Sequence, residues 1–134
     1  MKGRKPNQVA SDRDAIGNIP APPSWLSKDA KSEWRRIMPL LVERRILTDA
    51  DLGSVENYCL AIGQVRELDR AIKADGFVIH TNRGLRAHPA VKLQADAMSR
   101  SLRLAAELGL TPVSRSRPTV RDNEDDDADS PLAL

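Results

Sequence analysis

Apolar side chains recur along this chain at helical spacing in three long stretches. From Pro89 to Gly109, Val91, Ala95, Met98, Leu102 and Ala105 recur every three or four residues, and Leu104 and Leu108 widen the stripe. The pattern predicts one amphipathic helix with both ends marked. Pro89 suits a first helical position, where a missing N–H is harmless. Gly109 can take the left-handed conformation that closes a helix, and Pro112 is expected to prevent any resumption. A second stripe, Leu52, Val55, Cys59, Ile62, Val65, Leu68 and Ile72, predicts a helix over 49–75 ended by Gly76. Its start is marked by Thr48-Asp49-Ala50-Asp51, where Thr48 can cap, Asp51 can reach back, and both aspartates suit the positive end of the helix dipole. At ~1.5 Å per residue such a helix is about 40 Å long. Gly63 in its middle lowers helix stability by ~1 kcal/mol and hints at a close helix approach.

A third stripe, Ala30, Trp34, Ile37, Met38 and Leu41, follows Ser27, a plausible N-cap. Pro39 lies inside it and predicts a kink or break. Between the two longer helices, Phe77-Val78-Ile79-His80-Thr81 precedes Asn82-Arg83-Gly84, a run of β-formers beside a turn signal that predicts a short hairpin or an extended loop. So short a connection folds helices 49–75 and 89–108 back on each other as an antiparallel pair. The expected fold is mainly α: a long antiparallel helical hairpin, an N-terminal kinked helix, and a ring-forming oligomer, because the apolar stripes exceed what one small chain can cover. The candidate subunit contacts are Leu52, Val55, Ile62, Leu68, Met98 and Leu102.

The 134 residues fit one small domain with tails. Residues 1–23, with Pro6, Pro20, Pro22 and Pro23, form a predicted flexible basic arm, 24–113 the helical core, and 114–134 a basic and then acidic disordered tail. Trp25, Trp34, Tyr58 and Phe77 are the only aromatic residues, which favours helices packed through aliphatic side chains. No stretch approaches the ~20 apolar residues of a membrane span, the N-terminus lacks the apolar run of a secretory signal, and a lone cysteine fits a reducing compartment, so a soluble intracellular chain is expected. Cys59 falls in the apolar stripe of its helix and reads as a small core residue.

Charge is segregated. Six of the 19 acidic residues (Asp122, Glu124, Asp125, Asp126, Asp127 and Asp129) fall in the last thirteen positions. The remaining 13 face 21 Lys and Arg in residues 1–121, which therefore carry +8 against −6 for the tail. A basic body is the footprint of a polyanion binder, and it equally serves solubility. On charge the candidates for DNA contact are Lys2, Arg4 and Lys5 in the arm, Arg83 and Arg86 at the loop tip, and Arg115 and Arg117 after the last helix. The pairs Arg35-Arg36 and Arg44-Arg45 read as a solvated face or as phosphate contacts. His80 and His88, without a cysteine or a clustered carboxylate, read as polar loop residues and not as metal ligands. No phosphate-cradling glycine loop, metal-ligand spacing or nucleophile elbow is present, so neither an enzyme nor a cofactor is expected.

Five motifs occur in order: Gly3-Arg4-Lys5-Pro6; Pro23-Ser24-Trp25-Leu26 with Trp34; Ile46-Leu47-Thr48-Asp49-Ala50-Asp51; Gly76-Phe77-Val78-Ile79; and Glu107-Leu108-Gly109-Leu110-Thr111-Pro112 with Ser114-Arg115. Together they resemble the small terminase subunits of tailed bacteriophages and prophages, over roughly residues 3–117. The resemblance implies a non-catalytic subunit in the cytoplasm of a bacterial host. Such a subunit forms a ring, binds the packaging start region of double-stranded viral DNA, and delivers it to the large ATPase and nuclease subunit. An HNH endonuclease is a further partner in some such phages. A helical protein-binding adaptor and a small transcriptional regulator are the alternatives.

Overall fold

A computed structural model describes residues 15–45 and 47–115. Its elements are α1 (Lys28–Glu43), a 3-10 turn (Asp49–Asp51), α2 (Leu52–Asp75), β1 (Val78–Thr81), β2 (Gly84–Ala87) and α3 (Pro89–Glu107). The central element is α2. Along its N-terminal half it packs antiparallel against α1, with Tyr58 opposite Glu33 and Gly63 opposite Ala30; α3 packs antiparallel along its length, with Gln94 opposite Val65 and His88 opposite Asp75. The expected helical hairpin is present, and the open choice between hairpin and loop resolves to a two-stranded antiparallel ribbon with Val78 opposite Ala87 and Thr81 opposite Gly84.

Local chemistry explains the helix ends. Ser27 accepts from the Ala30 N–H at 3.2 Å, and the Asp51 carboxylate accepts from the Thr48 N–H at 2.9 Å. Asp49–Asp51 form a tight 3-10 turn, so the regular helix starts at Leu52. Gly76 and Gly109 both adopt positive φ, at 89° and 72°, which lets the chain turn without a Cβ clash.

Three expectations are corrected. Of the kink or break expected at Pro39, the break is absent, since α1 runs on to Glu43. Pro39 is exposed, so its ring and the hydrogen bond it removes fall on the solvent side of the helix. α3 has already ended at Glu107, closed by Gly109, and Pro112 begins a helical turn over 112–115, because proline is well suited to a first helical position; Thr111 and Ser114 exchange hydrogen bonds across that turn. Residues 15–23, assigned to the arm by composition, lie against the helices. Ile16 donates to the Leu47 carbonyl at 2.8 Å, and the Trp34 indole N–H donates to the Pro20 carbonyl at 2.8 Å.

The main core joins Leu26, Ala30, Trp34, Ile37, Met38 and Leu41 to Leu47, Val55, Tyr58 and Cys59, and α3 adds Ala105 and Leu108 at its C-terminal end. Cys59 is buried there as expected; burial and then the nearby Glu33 carboxylate push its thiol up to about 12.

The α2–α3 seam is built from small residues. Ala90, Ala97, Ser101 and Ala105 form the buried face of α3, not the expected Val91, Ala95, Met98 and Leu102. The helix is turned by roughly one residue, or about 100°, from the phase its larger side chains imply. Small side chains fill the seam, and Met98 and Leu102 are left outside.

On its other side α2 comes close to α1 at Gly63. A Cβ there would meet the Ala30 nitrogen and the Ser27 hydroxyl, each at 3.0 Å, at the capped start of α1. Gly63→Val is therefore expected to destabilise the fold by about 1–3 kcal/mol, despite the better intrinsic helix propensity of valine, because the crowded neighbour is helix backbone. A thermal melt of the variant checks this; a melting temperature at or above that of the parent would show that α1 yields freely.

Candidate nucleic-acid interface

The β-hairpin is the most exposed part of the fold and carries positive charge without compensation. From Gly76 to His88 there is no carboxylate, while Arg83 sits in the turn and Arg86 pairs with Ile79 across the ribbon; both are exposed. Strand alternation puts Arg86 on one face with Ile79 and Thr81, and puts Val78, His80, Leu85 and Ala87 on the other. Thr81 rigidifies the turn: its hydroxyl accepts from the Arg83 N–H at 3.1 Å and donates to the Gly84 carbonyl at 2.9 Å. Gly84, at φ 94°, supplies the conformation that the turn needs.

His88 fixes the base of the ribbon. Its backbone N–H donates to the Phe77 carbonyl at 2.7 Å, its Nδ1 accepts from the Ala90 N–H at 3.0 Å as the N-cap of α3, and its Nε2 lies 2.9 Å from the Asp75 carboxylate. An accepting Nδ1 places the ring proton on Nε2, which then donates to Asp75. One side chain thus ties the end of α2 to the start of α3. His80, by contrast, is simply exposed on β1. Among the described residues no group of three or more His, Cys, Asp or Glu is arranged to hold a metal ion.

The structure separates the sequence-predicted cations. Ile16 is bonded to Leu47, and Arg44 donates to the Gly109 carbonyl at 2.7 Å, so both ends of the described chain leave from the pole where α2 begins. Arg115 is exposed at that pole. The hairpin occupies the opposite pole, about 36 Å away along the 24 residues of α2. Lys2, Arg4, Lys5 and Arg117 lie outside the described residues. Arg83 and Arg86 are thus brought together in one rigid ribbon, and Arg115 is placed far from them.

The predicted subunit contacts also divide. Val55 is fully buried in the core of the single chain, and Leu52 and Ile62 pack against that core, so these three serve the monomer's own interior. Leu68 is half-buried in a groove that it shares with Leu93. Met98 and Leu102 are 48% and 65% exposed, and with exposed Ala95 they form an uncovered apolar stripe on α3. No periodicity argument could have made this division, because all six residues lie on helical stripes.

Sequence reasoning also missed a buried polar centre. Glu33 is only 1% exposed, and its carboxylate accepts from the Tyr58 hydroxyl at 2.6 Å, from Arg36 Nε at 2.9 Å and Nη2 at 2.6 Å, and from Arg66 at 3.4 Å. Burial opposes ionisation of Glu33, but the hydrogen bonds from Arg36 and Tyr58, with the charge of Arg66, outweigh it and hold the carboxyl below its ordinary range. Burial and the same carboxylate raise the Tyr58 hydroxyl. The centre clamps α1 onto α2. A carboxylate inside the apolar pattern Ala30-Trp34-Ile37 was its only trace in the sequence.

Taken together, a helical framework presents a basic ribbon at one pole and an uncovered apolar stripe along α3. None of the described helices is long and apolar enough to cross a membrane. The model of the family described as phage terminase, small subunit, matches residues 30–125, and the chain belongs to that family. No curated protein and no solved structure matches it. Viral DNA packaging is therefore the general setting of this protein.

Proposed function

We propose that this chain is the ring-forming, DNA-recognising subunit of a packaging terminase: it binds the packaging start region of viral DNA and hands it to the large ATPase and nuclease subunit. The observation that carries this reading is the uncovered stripe of Ala95, Met98 and Leu102 on the helix that follows directly from the basic hairpin. Copies joined along that stripe hold their Arg83 and Arg86 side chains in register, and effective concentration then multiplies contacts that are weak singly. Phosphate contacts of this kind position a protein on the duplex more than they read its sequence. Chemistry on the DNA belongs, in this reading, to the large subunit, with an HNH endonuclease as a further partner. Family membership supports DNA and the large subunit as partners in general.

The test is competition binding of viral-end and random duplexes at two salt concentrations. Arg83→Ala with Arg86→Ala is expected to weaken both duplexes alike and to flatten the dependence of log Kd on log salt by about 2 per chain engaged, at ~0.9 for each phosphate that the variant no longer neutralises. The melting temperature is expected to stay put, since both side chains are exposed. An unchanged salt slope would remove the hairpin from the DNA interface.

A further inference from the structure

The outward face of α1 has no role in the hairpin's binding of DNA, and its charge pattern is one-sided. Helical spacing places Lys28, Ser32, Arg35 and Pro39 along the exposed side, with half-buried Lys31 on its flank. The acidic residues of the same helix do not neutralise them. Asp29 is held by Arg70, Glu33 is buried under Arg36, Tyr58 and Arg66, and Glu43 stands a full turn or more beyond the basic stretch. Lys28, Lys31 and Arg35 form no ion pair among the described residues.

Their placement is also unfavourable to the helix itself. Lys28 and Lys31 lie at the positive end of the α1 dipole, and the last turn, where cations would stabilise, has none. Each such charge opposes the helix dipole, and an anion bound beside it relieves that opposition. Immediately before the helix stands Trp25, 59% exposed, whereas the chain's other tryptophan, Trp34, is buried at 2%. Unpaired cations can meet a phosphate backbone, and an exposed ring beside them is covered when they do.

We propose that this face of α1 is a second phosphate-binding surface for duplex DNA, formed by Lys28, Lys31 and Arg35 with Trp25 at its edge. The inference rests on the reading of the chain as a DNA-binding packaging subunit. The three cations span about 10 Å along the helix, which matches the axial rise of roughly three phosphates on one strand. The surface is distinct from the hairpin. The start of α1 is level with Gly63, and the ribbon begins after Asp75, about 18 Å farther along α2, so the two surfaces act independently and their effects add.

Trp25 makes the surface directly observable in the full-length protein. Acrylamide quenching of tryptophan fluorescence reports mainly Trp25, since Trp34 is sealed in the core. Saturation with a random duplex of about 30 base pairs at low salt is expected to reduce that quenching several-fold, and Trp25→Phe is expected to abolish the DNA-dependent change. Lys28→Ala, Lys31→Ala and Arg35→Ala combined are expected to lower the salt slope by about 2–3, at ~0.9 per neutralised phosphate, with a melting temperature equal to or above that of the parent. Trp25 remaining equally open to quencher on DNA-saturated protein would overturn the proposal, and this readout needs no charge variant to fold. An unaltered salt slope in the triple variant would overturn it too. Failure of the parent protein to bind any duplex would instead overturn the packaging-subunit reading on which the proposal rests.

Discussion

Replacing Glu33 by glutamine is expected to lower stability by about 3 kcal/mol, which for a domain of this size moves the melting temperature by of the order of 10 °C. Glutamine keeps the volume and can still accept from Tyr58, but it cannot hold two guanidinium groups as a carboxylate does. The loss stays at the lower end for a broken buried pair, because Arg36 and Arg66 are both partly exposed and can turn to water. Tyr58→Phe, which removes one hydrogen bond to a charged acceptor, is expected to cost about 1.5–3 kcal/mol. The two changes are coupled, so a double variant should fall short of their sum. The pH dependence follows from the same site. The Glu33 carboxyl is depressed in the folded protein below its ordinary 4.5, so its stabilisation is fully present above that pH and fades as pH falls through the lower, folded value. Chemical melts from pH 7 down to pH 3 should therefore show a steeper acid loss in the parent than in Glu33→Gln. Parallel curves would show that the carboxylate does not clamp α1.

Met98→Glu with Leu102→Glu is expected to abolish assembly at tens of micromolar while leaving the helical signal and melting behaviour of the subunit intact. Both side chains stand outside the intrachain core, and glutamate matches leucine and methionine in helix propensity, so the monomer tolerates the exchange. An apolar subunit interface does not, because a carboxylate buried there without a partner loses its hydration. Light scattering decides the matter: a multimer for the parent and a folded single chain for the variant. A parent that already behaves as a folded monomer at that concentration would refute the ring. A variant that assembles as the parent does would move the interface off α3. Val55→Ala is the instructive contrast, since its expected cost is to the fold of each chain and not to assembly.

Where a helix begins and ends is decided within a few residues, by groups that must be satisfied locally. Pro89, Gly76, Gly109 and the Thr48–Asp51 pair were therefore readable directly, whereas the segment around Asn82-Arg83-Gly84 was readable only as a hairpin or an extended loop. Arg83 was legible as exposed for the same reason, since a two-residue turn leaves its side chains no interior to enter, whereas Arg86 lies on β2 opposite Ile79 and not at the tip. The anchoring of residues 15–23 was not legible. Proline-rich composition argues against helix and strand, and says nothing about a chain held by a hydrogen bond from Trp34 fourteen residues away.

The sequence by itself determined the three helices, the antiparallel pairing of the longer two, a short hairpin or extended loop between them and the uneven distribution of charge. Only the tertiary structure decided which side of α3 is inside, whereas the stripe read on α1 is the face that is buried. On α3 the alanines and Ser101 fill the seam with α2, whereas periodicity counts apolar positions without weighing their size. That choice turned Met98 and Leu102 outward. On α1 the same packing buried Glu33 among its donors and tied Asp29 to Arg70, leaving Lys28, Lys31 and Arg35 as unopposed charge on the open face. Net charge is a sum over residues; the surface a phosphate meets depends on which carboxylates the fold has already paired, and that is settled by contacts between residues 25 to 41 positions apart.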